Sequence, residues 1–165
     1  LYVRLTFKAP AGGFDKSDKD NEVKATVMFP NDKVPLADQA GCWAACHEDA
    51  KGMPKSKDKT KYVAAGTMDL MQWASSGKSS DGFVADKRNM TGGKAGATAE
   101  GAKAGDTYTV TYTRKLAGNA VLAAGKAVPF GIAIHADNAG GRFHHVSFGH
   151  TIGLGADGDV KAAKQ

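Results

Sequence analysis

The sequence predicts a mainly β protein, an antiparallel β-sandwich with short helices and long loops. Two observations carry that expectation. Several short stretches alternate apolar with polar side chains, the period of a half-buried strand. Between them lie clusters of Gly, Asp, Asn and Pro, residues that turn a chain, and short strands punctuated in this way favour packed sheets.

In residues 1–8, Val3, Leu5 and Phe7 alternate with Tyr2, Arg4 and Thr6, giving the first strand. A Gly/Asp/Lys loop follows over 10–20. Val23, Ala25, Val27 and Phe29 then alternate with Lys24, Thr26 and Met28 in a strand that stops at Pro30. Residues 39–50 have the alanine content of a short helix, ended by Gly52 and Pro54. Residues 62–73 fit helix and strand equally by period. Glycines crowd residues 75–105, which read as a long, mobile surface loop. Residues 107–116 form the cleanest strand, with Tyr108, Val110 and Tyr112 on one face and threonines on the other. Two further strands are predicted over 128–136 and 143–154, joined by a hairpin-type turn at Asp137-Asn138-Ala139-Gly140-Gly141.

The 165 residues suit a single domain spanning 1–165. No apolar run reaches the roughly 18 residues of a membrane-crossing helix. The sequence opens at Leu1 without a leader, which reads as a mature form or a fragment of a larger membrane-anchored protein. Its net charge of +5 comes from cations dispersed among 17 acids, a solvated surface rather than a nucleic-acid footprint.

Both cysteines lie in Gly41-Cys42-Trp43-Ala44-Ala45-Cys46-His47. Two thiols and a following imidazole are what covalent haem attachment needs. The thiols add across the porphyrin vinyl groups, and the imidazole becomes an axial iron ligand. The usual spacing has two intervening residues; this one has three, a minority form. A disulfide four residues apart on a helix fits the required geometry poorly, and zinc would need about four ligands. One covalent haem c is therefore expected, on Cys42 and Cys46 with His47 as axial ligand. Trp43 and Trp73 read as haem-edge or core packing.

A low-spin iron needs a second ligand, histidine or methionine. On the predicted strand over 143–154, His144, Val146, Phe148 and His150 share one face, while Phe143, His145 and Ser147 share the other. The face of Val146 and Phe148 suits a haem pocket, which favours His144. His135, beside the small residues Gly131 and Ala133, remains an alternative, as does His145. Met68 and Met71 read equally well as core. The phosphate-loop pattern fails because position 72 is Gln72, and Asp157-Gly158-Asp159 is too short for a calcium loop. No catalytic residues are assigned.

The runs Thr67-Met68-Asp69-Leu70-Met71-Gln72-Trp73, Phe130-Gly131-Ile132-Ala133-Ile134-His135-Ala136-Asp137 and Gly141-Arg142-Phe143-His144-His145-Val146-Ser147 resemble the haem-binding domain of ethylbenzene dehydrogenase gamma-type subunits. The resemblance is closest to the c-type branch found with a membrane cytochrome b-type domain. It implies a β-sandwich with one haem between its sheets, a periplasmic setting and electron transfer without substrate chemistry. The b-type relatives hold iron with a methionine and a lysine. By position, the stretch from Cys42 to His47 replaces the methionine segment and His144 replaces the lysine.

These readings together predict a mono-haem, bis-histidine electron-transfer domain, not an enzyme, serving redox partner proteins in the periplasm, with tethering to the inner membrane among the expectations. A haem-based gas or redox sensor with a displaceable distal ligand is the alternative. A metal-binding or purely structural sandwich would apply if no haem were bound.

Overall fold

The computed structural model describes residues 1–8, 22–34, 36–40, 66–85, 88–135 and 145–163. Among them the chain runs β1 (Tyr2–Lys8), β2 (Lys24–Pro30), α1 (Ala37–Ala40), β3 (Met68–Ala74), β4 (Ser79–Val84), β5 (Arg88–Asn89), β6 (Thr98–Ala104), β7 (Thr107–Thr113), β8 (Lys126–His135), β9 (His145–Val146), β10 (His150–Leu154) and β11 (Val160–Lys161). The clean alternations at β1, β2 and β7 became strands where the period places them. The stretch that period alone left open became β3.

The strands form two sheets. The smaller has the order β1-β7-β6. The larger has the order β11-β10-β8-β2-β3-β4-β5, with β9 also paired to β8. Every pairing is antiparallel except β10 with β11. One apolar cluster joins the two sheets: Val27, Phe29, Met71, Trp73 and Phe130 from the larger meet Tyr108, Val110 and Tyr112 from the smaller. Trp73 meets Tyr108 edge-on, with centroids 6.0 Å apart, a favoured arrangement for two aromatic rings. The Tyr112 ring completes this core, and burial raises its phenol far above the ordinary value.

The core also buries one ion pair. An Arg114 guanidinium nitrogen lies 3.0 Å from Asp69 Oδ2, and both side chains are fully buried. Asp69 accepts from the Asn119 backbone N–H and side-chain amide at Oδ1, and from Arg114 and the Ala120 N–H at Oδ2. Arg114 donates further to the carbonyls of Lys115 and Ala120, and its guanidinium stacks over Phe29. The pair ties the segment after β7 to β3.

The predicted surface loop over 75–105 is overturned. Among its described residues are β4, β5 and β6, and Ala95, Ala97 and Ala99 are buried in the inter-sheet core. Two of its glycines serve close approach, and Gly77 and Gly105 take positive φ in turns. A Cβ on Gly101 would overlap the indole of Trp73, and one on Gly93 would overlap the Asp81 carboxylate. Only a residue without a side chain lets backbone and neighbour come so near.

The single strand predicted over 143–154 is also corrected. Val146 pairs with Ala133, but His150 pairs with Phe130, so four residue steps on one strand face three on β8. This one-residue slip reverses which side chains face which way. Ser147 spans it: its N–H donates to the Ile132 carbonyl at 2.8 Å, and its Oγ accepts from the Ile132 N–H at 2.9 Å. The predicted turn at 137–141 lies outside the described residues.

Candidate functional site

Alternation divides the larger sheet into two faces. Ala25, Val27, Phe29, Met71, Trp73 and Phe130 face the smaller sheet. The opposite, outer face carries a second apolar cluster of Met28, Met68, Leu70, Val84 and Ala133, packed with Val34, Ala37 and Val146. Cross-strand registers arrange the outer face in rows. Met28 lies between Leu70 and Gly131, Thr26 between Gln72 and Ala133, and Lys24 between Ala74 and His135. The face is therefore apolar at the Pro30 end of β2 and polar at the Lys24 end.

The helix α1 packs against β8 and β10. Ala37 enters the outer-face cluster, and the Gln39 carbonyl accepts from the Gly149 N–H at 2.8 Å. A Cβ on Gly149 would overlap the Asp38 carbonyl, so this junction requires glycine. Leu36 turns the chain into α1 with φ of 54°, a left-handed conformation that a branched side chain rarely takes.

Cys42, Trp43, Cys46, His47 and His144 lie outside the described residues, as does most of the helix expected over 39–50. The chain leaves for the first four just after α1. It leaves for His144 from His135 and returns at His145, all three points on the outer-face side of the fold or on its β8–β9 ladder. His135, only 8% exposed, sits at the polar end opposite Lys24. His145 is exposed and pairs with Ile134. Met68 is buried within the outer-face cluster, whereas Met71 and Trp73 are buried between the sheets. Trp73 is thus core packing, held by Tyr108 and the glycine of β6.

Two sequence expectations about the pocket change. Phe148 is 76% exposed and forms no apolar wall with Val146. His150 faces the Phe130 ring, centroids 6.0 Å apart, and not the face of Val146. Both follow from the one-residue slip. The described space between the sheets, where the family resemblance puts a haem, is filled by side chains. The polar residues of the outer face, Lys24, Thr26 and Gln72, were not singled out from sequence. Their signal was present as the polar members of the β2 and β3 alternation.

The outer face has a composition that suits a haem: its cluster is apolar, the small residues Gly131 and Ala133 stand in its rows, and both segments holding the expected ligands connect to its borders. Among the described residues no cluster of three His, Cys, Asp or Glu side chains offers a separate metal site.

Comparison with known proteins finds two cytochromes c. The chain is 48% identical over 178 residues to cytochrome c-552 of Stutzerimonas stutzeri. It is 50% identical over 167 residues to cytochrome c-551 of Rhodocyclus tenuis. Both relatives are c-type cytochromes. Each alignment covers the whole of this chain but only 61% and 64% of the respective relative, so the chain spans less than two thirds of their length. No family model matches the chain. Neither relative's name carries the resemblance to ethylbenzene dehydrogenase subunits or an association with a membrane cytochrome b-type domain.

Proposed function

We propose that this chain is a c-type cytochrome domain that passes single electrons, with one haem bound through Cys42 and Cys46 on the outer face of the larger sheet. The observation that carries the reading is the Cys42–Cys46–His47 constellation in a chain about half identical, over its full length, to two cytochromes c. A haem supplies a reversible one-electron ferric/ferrous couple when bound. The residues of this chain set its conditions. His47, which follows the attachment cysteines, would hold the iron. Met28, Leu70, Ala133 and Val146 would keep water from the group, and a dry, low-dielectric setting is one of the levers on potential.

For the distal ligand the proposal is His144. Ala133 pairs with Val146 and Ile134 with His145. His144 alternates with Val146 along the sequence and stands where the family resemblance puts the relatives' lysine. The antiparallel β-sandwich class is supported by the two sheets and their shared core. The periplasm is the proposed compartment, because covalent attachment of this kind accompanies cytochromes c such as the two relatives. Redox proteins are the proposed partners. A membrane cytochrome b-type domain rests on the family resemblance alone.

Spectroscopy of the purified holoprotein tests the reading. The haem should stay on the polypeptide through acid-acetone extraction, and Cys42→Ala with Cys46→Ala should release it. The reduced protein should show sharp low-spin bands unmoved by carbon monoxide. His144→Ala should become high-spin and bind carbon monoxide, while His145→Ala and His135→Ala stay low-spin. Haem lost from the unaltered chain would end the c-type reading. A carbon monoxide shift in the unaltered chain would favour the sensor instead.

A further inference from the structure

The polar end of the outer face has no role in attachment or ligation as argued so far. Its members sit in two adjacent cross-strand rows: Lys24 beside Ala74 and His135, and Thr26 beside Gln72 and Ala133. The Lys24 side chain is only 26% exposed and lies 3.4 Å from Glu22, itself 9% exposed. Lysine side chains ordinarily carry their ammonium out to water, and this one stays mostly within the fold. Gln72 Nε2 donates to Thr26 Oγ1 at 3.0 Å, and the Thr26 residue is buried. An ammonium has three donors and a primary amide two, while a hydroxyl that accepts still has its own hydrogen to give. Each of the three side chains can therefore donate once more, in addition to the contacts just named.

The direction of the face supplies the second argument. The chain enters the attachment motif from α1, which packs at the apolar end with Met28, Met68 and Leu70. Thioether bonds form at the two vinyl groups, and the porphyrin carries its two propionates on the opposite edge of the ring. A ring held through cysteines that follow α1 so closely in sequence would, with its vinyl edge toward that helix, send its carboxylate arms toward the other end of the same face. From Met28 to Lys24 is four residues of strand, about 14 Å, which suits a ring with extended arms. Carboxylates brought there need charged or hydrogen-bonding donors, and donors are what this end of the face holds.

We infer that Lys24, Thr26 and Gln72 form the seat of the haem propionates. Lys24 supplies the cation and Gln72 the amide donor, and Thr26 orients Gln72. Glu22 holds the lysine in place, and His135 stands directly across from it. The inference rests on the cytochrome reading above.

The test uses the holoprotein and two measurements. Resonance Raman reports hydrogen bonding to the propionates through their bending modes, and potentiometry reports the midpoint potential. Lys24→Ala should shift a propionate mode and lower the potential, because a lost cation disfavours the added electron. Gln72→Ala should shift a propionate mode, and Lys24→Arg should restore the potential. Lys126→Ala, at the far, exposed end of β8, should change neither. If Lys24→Ala does not fold, Lys24→Gln and Gln72→Ala carry the same measurement. Covalent haem with propionate modes unmoved in Lys24→Ala and Gln72→Ala would overturn the inference and leave the cytochrome reading intact, and a potential shift without a mode shift would overturn it equally. Absence of covalent haem from the unaltered chain would instead remove the cytochrome reading on which the inference rests.

Discussion

Replacing Asp69 with Asn should cost this fold about 3–5 kcal/mol, the range for removing one partner of a buried ion pair. The structure shows why the nearly isosteric change is severe. Each carboxylate oxygen accepts two donors: Oδ1 from the Asn119 N–H and amide, Oδ2 from Arg114 and the Ala120 N–H. Whichever way the new amide turns, its nitrogen replaces an oxygen that held two donors. Two hydrogen bonds are lost, worth roughly 0.5–1.5 kcal/mol each and about 1.5–3 where a charge is involved. The Arg114 guanidinium is also left buried without its counter-charge. Desolvation already pulls its pKa down, and the Asp69 charge opposes that pull. Urea unfolding should show a lower midpoint at unchanged slope, and the melting temperature should fall by roughly 6–20 °C at about 2–4 °C per kcal/mol. The double variant Asp69→Leu/Arg114→Met should not recover the loss, because the Asn119 and Ala120 N–H groups would still be left without their acceptor. Asp69→Asn within about 1 kcal/mol of the parent, a change ordinary for exposed sites, would show that the pair is hydrated and the reasoning wrong.

Gly101→Ala should destabilise by about 1–3 kcal/mol, the usual cost of overpacking, because its Cβ would overlap the rigid Trp73 indole; denaturant titration reads it. Amide hydrogens of β6 that pair with β7 should exchange as slowly as those of β7 itself, and fast exchange there would restore the mobile-loop reading. Asp159 should contribute acid sensitivity. Its Oδ2 accepts from the Thr151 N–H at 2.8 Å and hydroxyl at 2.9 Å, and these bonds, the backbone one first, hold its pKa below the ordinary carboxylate value. A carboxylate depressed by folding stabilises fully above its unfolded pKa of about 3.9 and loses that contribution as pH falls through the lower folded value. The melting temperature of Asp159→Asn should therefore fall less between pH 5 and acid than that of the parent, and parallel profiles would refute this.

Some of this protein was settled by its sequence alone. The alternations in β1, β2 and β7 placed their side chains on the correct faces, because a strand's period of two needs no partner to define it. Two thiols and an imidazole in six residues carry the haem proposal by composition and spacing. Other features existed only once strands had partners. The glycines between 75 and 105 looked like flexibility because a sequence does not show that Trp73 and Asp81 lie against Gly101 and Gly93. The period of 143–154 predicted one pocket face, but a one-residue slip against β8 turned His150 toward Phe130 and left Phe148 in solvent. Asp69 and Arg114 are 45 residues apart, and neither neighbourhood marks the other as its counter-charge. The polar end of the outer face arose in the same way. Lys24, Thr26 and Gln72 came to share one face through the β2–β3–β8 register, because pairing between distant strands, and not order along the chain, decides which side chains share a surface.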